Sequence, residues 1–202
     1  MSLERYFHRY GKATFTLFLM NVGFYVLESV LSGNPLFISR GVLERLGQWN
    51  YAVLHYGWWW QPLTSMFVHV GMLHIAFNMY FLLVIGRQLE GILGPGRLAM
   101  VYLVSGLGGN LLSLLMLPPY AVSAGASGAL FGIAGALILI TGVVGGNVQG
   151  ALLNALMLFI INSILPGVNA YAHLGGLLVG MGIGHYYGRR IRRHLMERIY
   201  GW

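Results

Sequence analysis

Gly125-Ala126-Ser127-Gly128 opens an apolar run, residues 125–144, long enough to cross a bilayer. A serine just inside such a run, between glycines, has two readings. Serine and glycine are the usual small residues where transmembrane helices meet, and taken alone that is the more ordinary one. The other is a nucleophile. His173 shifts the balance: it sits near the start of another apolar run, residues 170–187. By chain parity that run enters the bilayer from the same side as Ser127.

The rest of the chain suits a membrane. Of its 202 residues, 57% are hydrophobic and only 8% charged, with a mean hydropathy of +0.69. A soluble domain carries about 25% charged residues. Too few polar groups exist to coat a water-facing surface, so the class is an all-α polytopic membrane protein, a single domain over residues 1–202. The net charge of +7 could suggest nucleic acid. The basic residues, however, lie in tails and loops rather than on an amphipathic face, which is a membrane-orientation signal and argues against a nucleic-acid partner. Cysteine is absent, which excludes disulfides and Cys-based metal sites. Aspartate is absent too, so serine–histidine chemistry must use a dyad or borrow one of five glutamates.

Six apolar runs can be marked: 13–31, 62–85, 98–117, 125–144, 148–165 and 170–187, with a basic tail at 188–202. Each approaches the ~20 residues that cross ~30 Å of hydrocarbon. The first is too long for a signal-peptide core and reads as a retained span; Glu28, near its far end, is expected to reach the interface. Residues 32–61 carry many aromatics, including Trp58, Trp59 and Trp60, and read as a half-embedded interfacial loop. In it Val42, Leu43, Leu46 and Trp49 fall on one helical face. Six spans put both termini on one side, with Arg5, Arg9, Lys12, Arg87, Arg97 and five tail arginines. Only Arg40 and Arg45 lie opposite. Ten basic residues against two make the termini cytoplasmic.

Spans two, four and six begin on the outer side. Ser127 and His173 lie close to the starts of theirs. His74 and Asn78 lie deeper, roughly 15–25 Å of helix from Pro62, although the long preceding loop leaves the true start of that span open. Those two are four residues apart and share a face. His69, nine residues before Asn78, falls on the opposite face and reads as structural. Gly176, Gly180 and Gly184 follow His173 as a stripe, and Gly128, Gly132 and Gly135 accompany Ser127. Such stripes let helix backbones approach closely, which would bring an imidazole within reach of a serine hydroxyl.

With these residues assembled, the chain resembles the rhomboid family of intramembrane serine proteases, over nearly its whole length and in order. The family's Gly-x-Ser-Gly falls on residues 125–128, which makes Ser127 the nucleophile by resemblance. Its sixth-helix His followed by glycines falls on His173, Gly176 and Gly180, which makes His173 the general base. Its His-x-x-x-Asn falls on His74 and Asn78, which would line the oxyanion hole. Its Gly-x-x-x-Glu-x-x-x-Gly turn falls on Gly86, Glu90 and Gly94, a structural element. Two departures stand out. The Trp-Arg pair of many members is Trp60-Gln61 here, which bears on how the first loop is tethered. A tyrosine found in some members is Phe131, which can stack on His173 but cannot donate a hydrogen bond. The loop near Pro166 is short, so any cap over the site is small.

The resemblance implies six transmembrane helices in a rhomboid-like bundle in a bacterial-type cytoplasmic membrane. It implies lipid and transmembrane protein substrates as partners, cut near the outer end of the transmembrane segment at a small residue after lateral access between spans two and five. It calls for no metal and no cofactor. Two alternatives compete: a catalytically inactive rhomboid-like binder of membrane clients, and a channel or transporter using its histidines as a proton path. The binder predicts loss of Ser127 or His173, and the transporter predicts inverted-repeat halves. Neither feature is visible.

Overall fold

A computed structural model describes residues 11–164 and 167–201, apart from the side chain of Tyr200. Arg5 and Arg9 of the basic terminus, and Pro166 of the expected cap, lie outside the described residues. The long helices are α1 (Lys12–Ser32), α5 (Met72–Leu93), α6 (Pro95–Met116), α7 (Ser127–Val144), α8 (Val148–Ser163) and α9 (Ala170–Tyr200). Between α1 and α5 lie three short helices, α2 (Arg40–Leu46), α3 (Asn50–Tyr56) and α4 (Gln61–Thr64). A two-residue strand β1 (Gln48–Trp49) pairs antiparallel with β2 (Val122–Ser123), which ties the first loop to the segment just before Ser127.

Four of these helices, α1, α5, α6 and α7, are long and apolar enough to cross a membrane. The apolar α8 is shorter, at 16 residues. The glycines and histidines of α9 dilute its hydropathy, and it continues as one 31-residue helix through the basic segment. The architecture is an all-α membrane bundle. At its centre is α7: 61% of its most apolar stretch is buried, against 28% for α1.

Glycine sets the central spacing. A methyl on Gly176 would overlap the Gly128 carbonyl oxygen, one on Gly180 that of Gly132, and one on Gly184 that of Ala136. The backbones of α7 and α9 therefore touch with nothing between them. The third member is α6, where a methyl on Gly175 of α9 would sit 2.7 Å from Gly108 O.

The helix ends explain the boundaries. Glu90 of α5 caps the start of α1: its carboxylate accepts from Ala13 N (3.0 Å), Thr14 N (2.8 Å) and Thr14 Oγ1 (2.7 Å). A helix start leaves such N–H groups orphaned, and its dipole favours an anion there. Asn147 and Asn169 cap α8 and α9 through Gly150 N and Ala172 N.

Several expectations need correction. Pro62 does not open the second span: it is buried in α4, and the span starts ten residues later, at Met72. Residues 36–38 pair with the chain at 70–72, through Ile38 N to Val70 O (3.1 Å) and Met72 N to Leu36 O (3.2 Å). That pairing holds the approach to α5 out of helix. His69 thus precedes the helix and has no helical face. Glu28 does not extend free of the bundle: it is fully buried and accepts from His69 N at 3.0 Å. Trp49 lies in β1 rather than on the face of α2. Gln61 is itself the loop's tether: its Oε1 accepts from Trp49 N (2.9 Å) and its Nε2 donates to Glu44 O (2.8 Å). Aromatic side chains of this loop remain exposed, among them Phe37, Tyr56, Trp59 and Trp60.

Candidate active site

Ser127 is the first residue of α7. The helix starts there, not at Gly125, because Gly125 has φ +133° and turns the chain. Gly125 N donates to Ser65 O at 2.9 Å, which fixes that turn against the segment leading to α5. A methyl built on Gly125 would sit 2.8 Å from His74 Cε1, 3.0 Å from His74 Nε2 and 3.6 Å from Ser127 Oγ. The His74 imidazole and the Ser127 hydroxyl therefore border the same small volume. The missing side chain at 125 is what leaves that volume open.

His74 stands in the first turn of α5. Val70 N–H points at its Nδ1 at 3.5 Å; with that nitrogen as acceptor, Nε2 would be the one to carry a proton. Cε1 and Nε2 are the ring atoms next to the Gly125 space. His69 lies edge-on to His74, with ring centroids 5.1 Å apart. Its own Nδ1 donates to Phe67 O at 3.1 Å. Asn78 is buried one turn along α5, and its Nδ2 donates back to His74 O at 3.1 Å.

His173 lies in the first turn of α9 and is 6% exposed. Its ring stacks on Phe131, with centroids 4.0 Å apart and planes at 14°. Phe131 is four residues beyond Ser127, so it projects from the same face of α7 one turn along. The imidazole is therefore held flat against the helix that carries the serine. Its Nδ1 lies 3.1 Å from Ser163 Oγ, at the end of α8. Among the described residues, no hydrogen bond joins Ser127 Oγ to His173 or to Asn78.

Chemically, this arrangement offers a half-buried hydroxyl at a helix N-terminus, an imidazole clamped on the same helix, and an N–H donor across a small gap. Those are the parts of an acyl-transfer site. Two contributors were not legible from the sequence. Ser163 lies in a span with no histidine, and Ser65 meets the Gly125 turn through its carbonyl. No spacing rule links either of them to Ser127. Two shallow concavities, about 300 Å³ between Trp49, Tyr51, Pro119 and Tyr120 and about 710 Å³ between Tyr80, Val84, Arg87 and Gly91, include none of these groups.

The rhomboid family model, described as Rhomboid domain, matches residues 56–190. RHOMBOID-like protein 2 of Arabidopsis thaliana is 39% identical over 181 residues, covering 85% of this chain and 54% of that protein. Rhomboid protease GluP of Bacillus subtilis is 31% identical over 185 residues, covering 84% of this chain and 34% of its own. Rhomboid-like protease 3 of Toxoplasma gondii is 34% identical over 141 residues, covering 65% of this chain and 53% of its own. The chain spans about half the length, or less, of these relatives. On the match to the family model and on these identities, the chain belongs to the rhomboid family.

Proposed function

We propose that the protein is an intramembrane serine endopeptidase. Ser127 Oγ attacks the scissile carbonyl and His173 Nε2 takes its proton. The developing oxyanion receives the Ser127 backbone N–H and His74 Nε2–H, with Asn78 as a further donor once its amide turns from His74 O. The observation that carries this reading is the Phe131–His173 stack. It clamps a buried imidazole to the helix that begins with Ser127, at the end where the helix dipole favours negative charge. Family membership supports the same chemistry, and relatives named proteases carry it in their names.

The substrates in this reading are single-pass membrane proteins, cut near the outer end of their transmembrane segment. The six long helices act as six spans of one domain, with both termini cytoplasmic in a cell membrane. Lys12, Arg87, Arg97 and the tail arginines support that orientation.

The test is fluorophosphonate labelling of detergent-purified protein, alongside cleavage of a transmembrane reporter. Wild type is expected to label and cleave, and Ser127→Ala and His173→Ala to do neither. A wild type that binds the reporter without labelling or cutting it would favour the client-binding alternative.

A further inference from the structure

A general base needs its lone pair on the nitrogen that faces the nucleophile. The partner of the other nitrogen decides which tautomer is present. Stacking on Phe131 fixes the plane of the His173 ring, but it leaves the proton free to sit on either nitrogen. Among the described residues, the carboxylates engage other partners. Glu28 accepts from His69 N, Glu90 caps α1, Glu44 pairs with Arg40 and Glu197 with His194. The group within reach of Nδ1 is Ser163 Oγ, at 3.1 Å.

The partner of the Ser163 hydroxyl oxygen differs from that of other helical hydroxyls in the chain. In this chain Thr16, Ser29, Ser113 and Thr141 each donate back to the carbonyl four residues earlier in their helices. Serine and threonine commonly do this inside helices. Ser163 is hydrogen-bonded instead across the helix interface, to His173.

We propose that Ser163 is a positioning residue: its Oγ accepts the His173 Nδ1–H, which leaves Nε2 as the free base facing Ser127. This rests on the dyad reading above and adds a third member from α8. It also ties the base to a lightly held helix. Within α8 only Ala151 and Ala155 are buried, while Leu152, Leu153, Leu156, Met157, Ile160 and Ile161 are exposed. Moving α8 outward would break the hydrogen bond and leave the imidazole tautomer unfixed.

The test uses the full chain in detergent with wild type, Ser163→Ala, Ser163→Thr and Ser127→Ala. Reporter kcat and KM, fluorophosphonate labelling rate and histidine 15N NMR are measured on each. Loss of one neutral hydrogen bond is worth up to about tenfold. Ser163→Ala is therefore expected to lower kcat and the labelling rate by about that factor while KM stays within about twofold. The His173 15N signals should move from one tautomer toward a mixture, and Ser163→Thr should restore both readouts. Labelling at the wild-type rate in Ser163→Ala, an unchanged tautomer, or a loss confined to KM would overturn the inference and leave the dyad standing. A wild type that labels no better than Ser127→Ala would remove the dyad, and this inference with it.

Discussion

Glu28 shows how much one buried side chain can organise. It reaches from α1 to the His69 N–H, in the turn that leads into α5 and its His74. Removing the carboxylate leaves that N–H buried without an acceptor, which costs about 1–3 kcal/mol. Glu28→Ala should therefore lower the thermal unfolding midpoint in detergent, and Glu28→Gln, which keeps an acceptor oxygen, should lower it less. Equal losses would mean that the charge matters rather than the hydrogen bond. The sequence could not place this residue. A glutamate near the end of an apolar run reads as interfacial, and only the fold brings residue 69 down to it. Phe131 was more legible, because i, i+4 spacing puts its ring on the same face of α7 as Ser127 whatever surrounds it.

At the scale of elements, the contact between α7 and α9 is the critical one. Adding a methyl at Gly176 would press on the Gly128 carbonyl, and backbone cannot swing aside as a side chain can. Gly182, on the same helix, has nothing within 4 Å of a methyl. Gly176→Ala should thus destabilise the protein and sharply reduce reporter cleavage, while Gly182→Ala leaves both near wild type. Differential scanning fluorimetry with the reporter assay compares the pair at equal helix propensity. Glycine periodicity made this kind of helix contact readable in advance, since small residues every fourth position have few other uses in a span. The start of α5 was not readable. Hydropathy continues smoothly from Pro62 into the helix, and what delays it is backbone pairing with residues 36–38, a long-range contact that composition does not encode.

For the whole molecule, the bundle's class followed from composition, because 8% charge cannot solvate a surface of this size. Its sidedness is a separate matter. If both termini are cytoplasmic, as proposed, a fluorescent protein fused after Trp202 should glow, and alkaline phosphatase fused there should stay inactive. The reverse pattern would invert the bundle. The glycine contact carries a consequence for the bilayer as well. Ser127 and His173 stand on helices whose separation is a backbone-to-backbone distance, as incompressible as any spacing in a protein. Thicker or thinner lipid can tilt the outlying helices, yet it has little purchase on that gap. Reconstituted in vesicles of increasing acyl-chain length, the protein should show changing KM but a nearly constant kcat, as a rigid cutting edge does when only the feed to it varies.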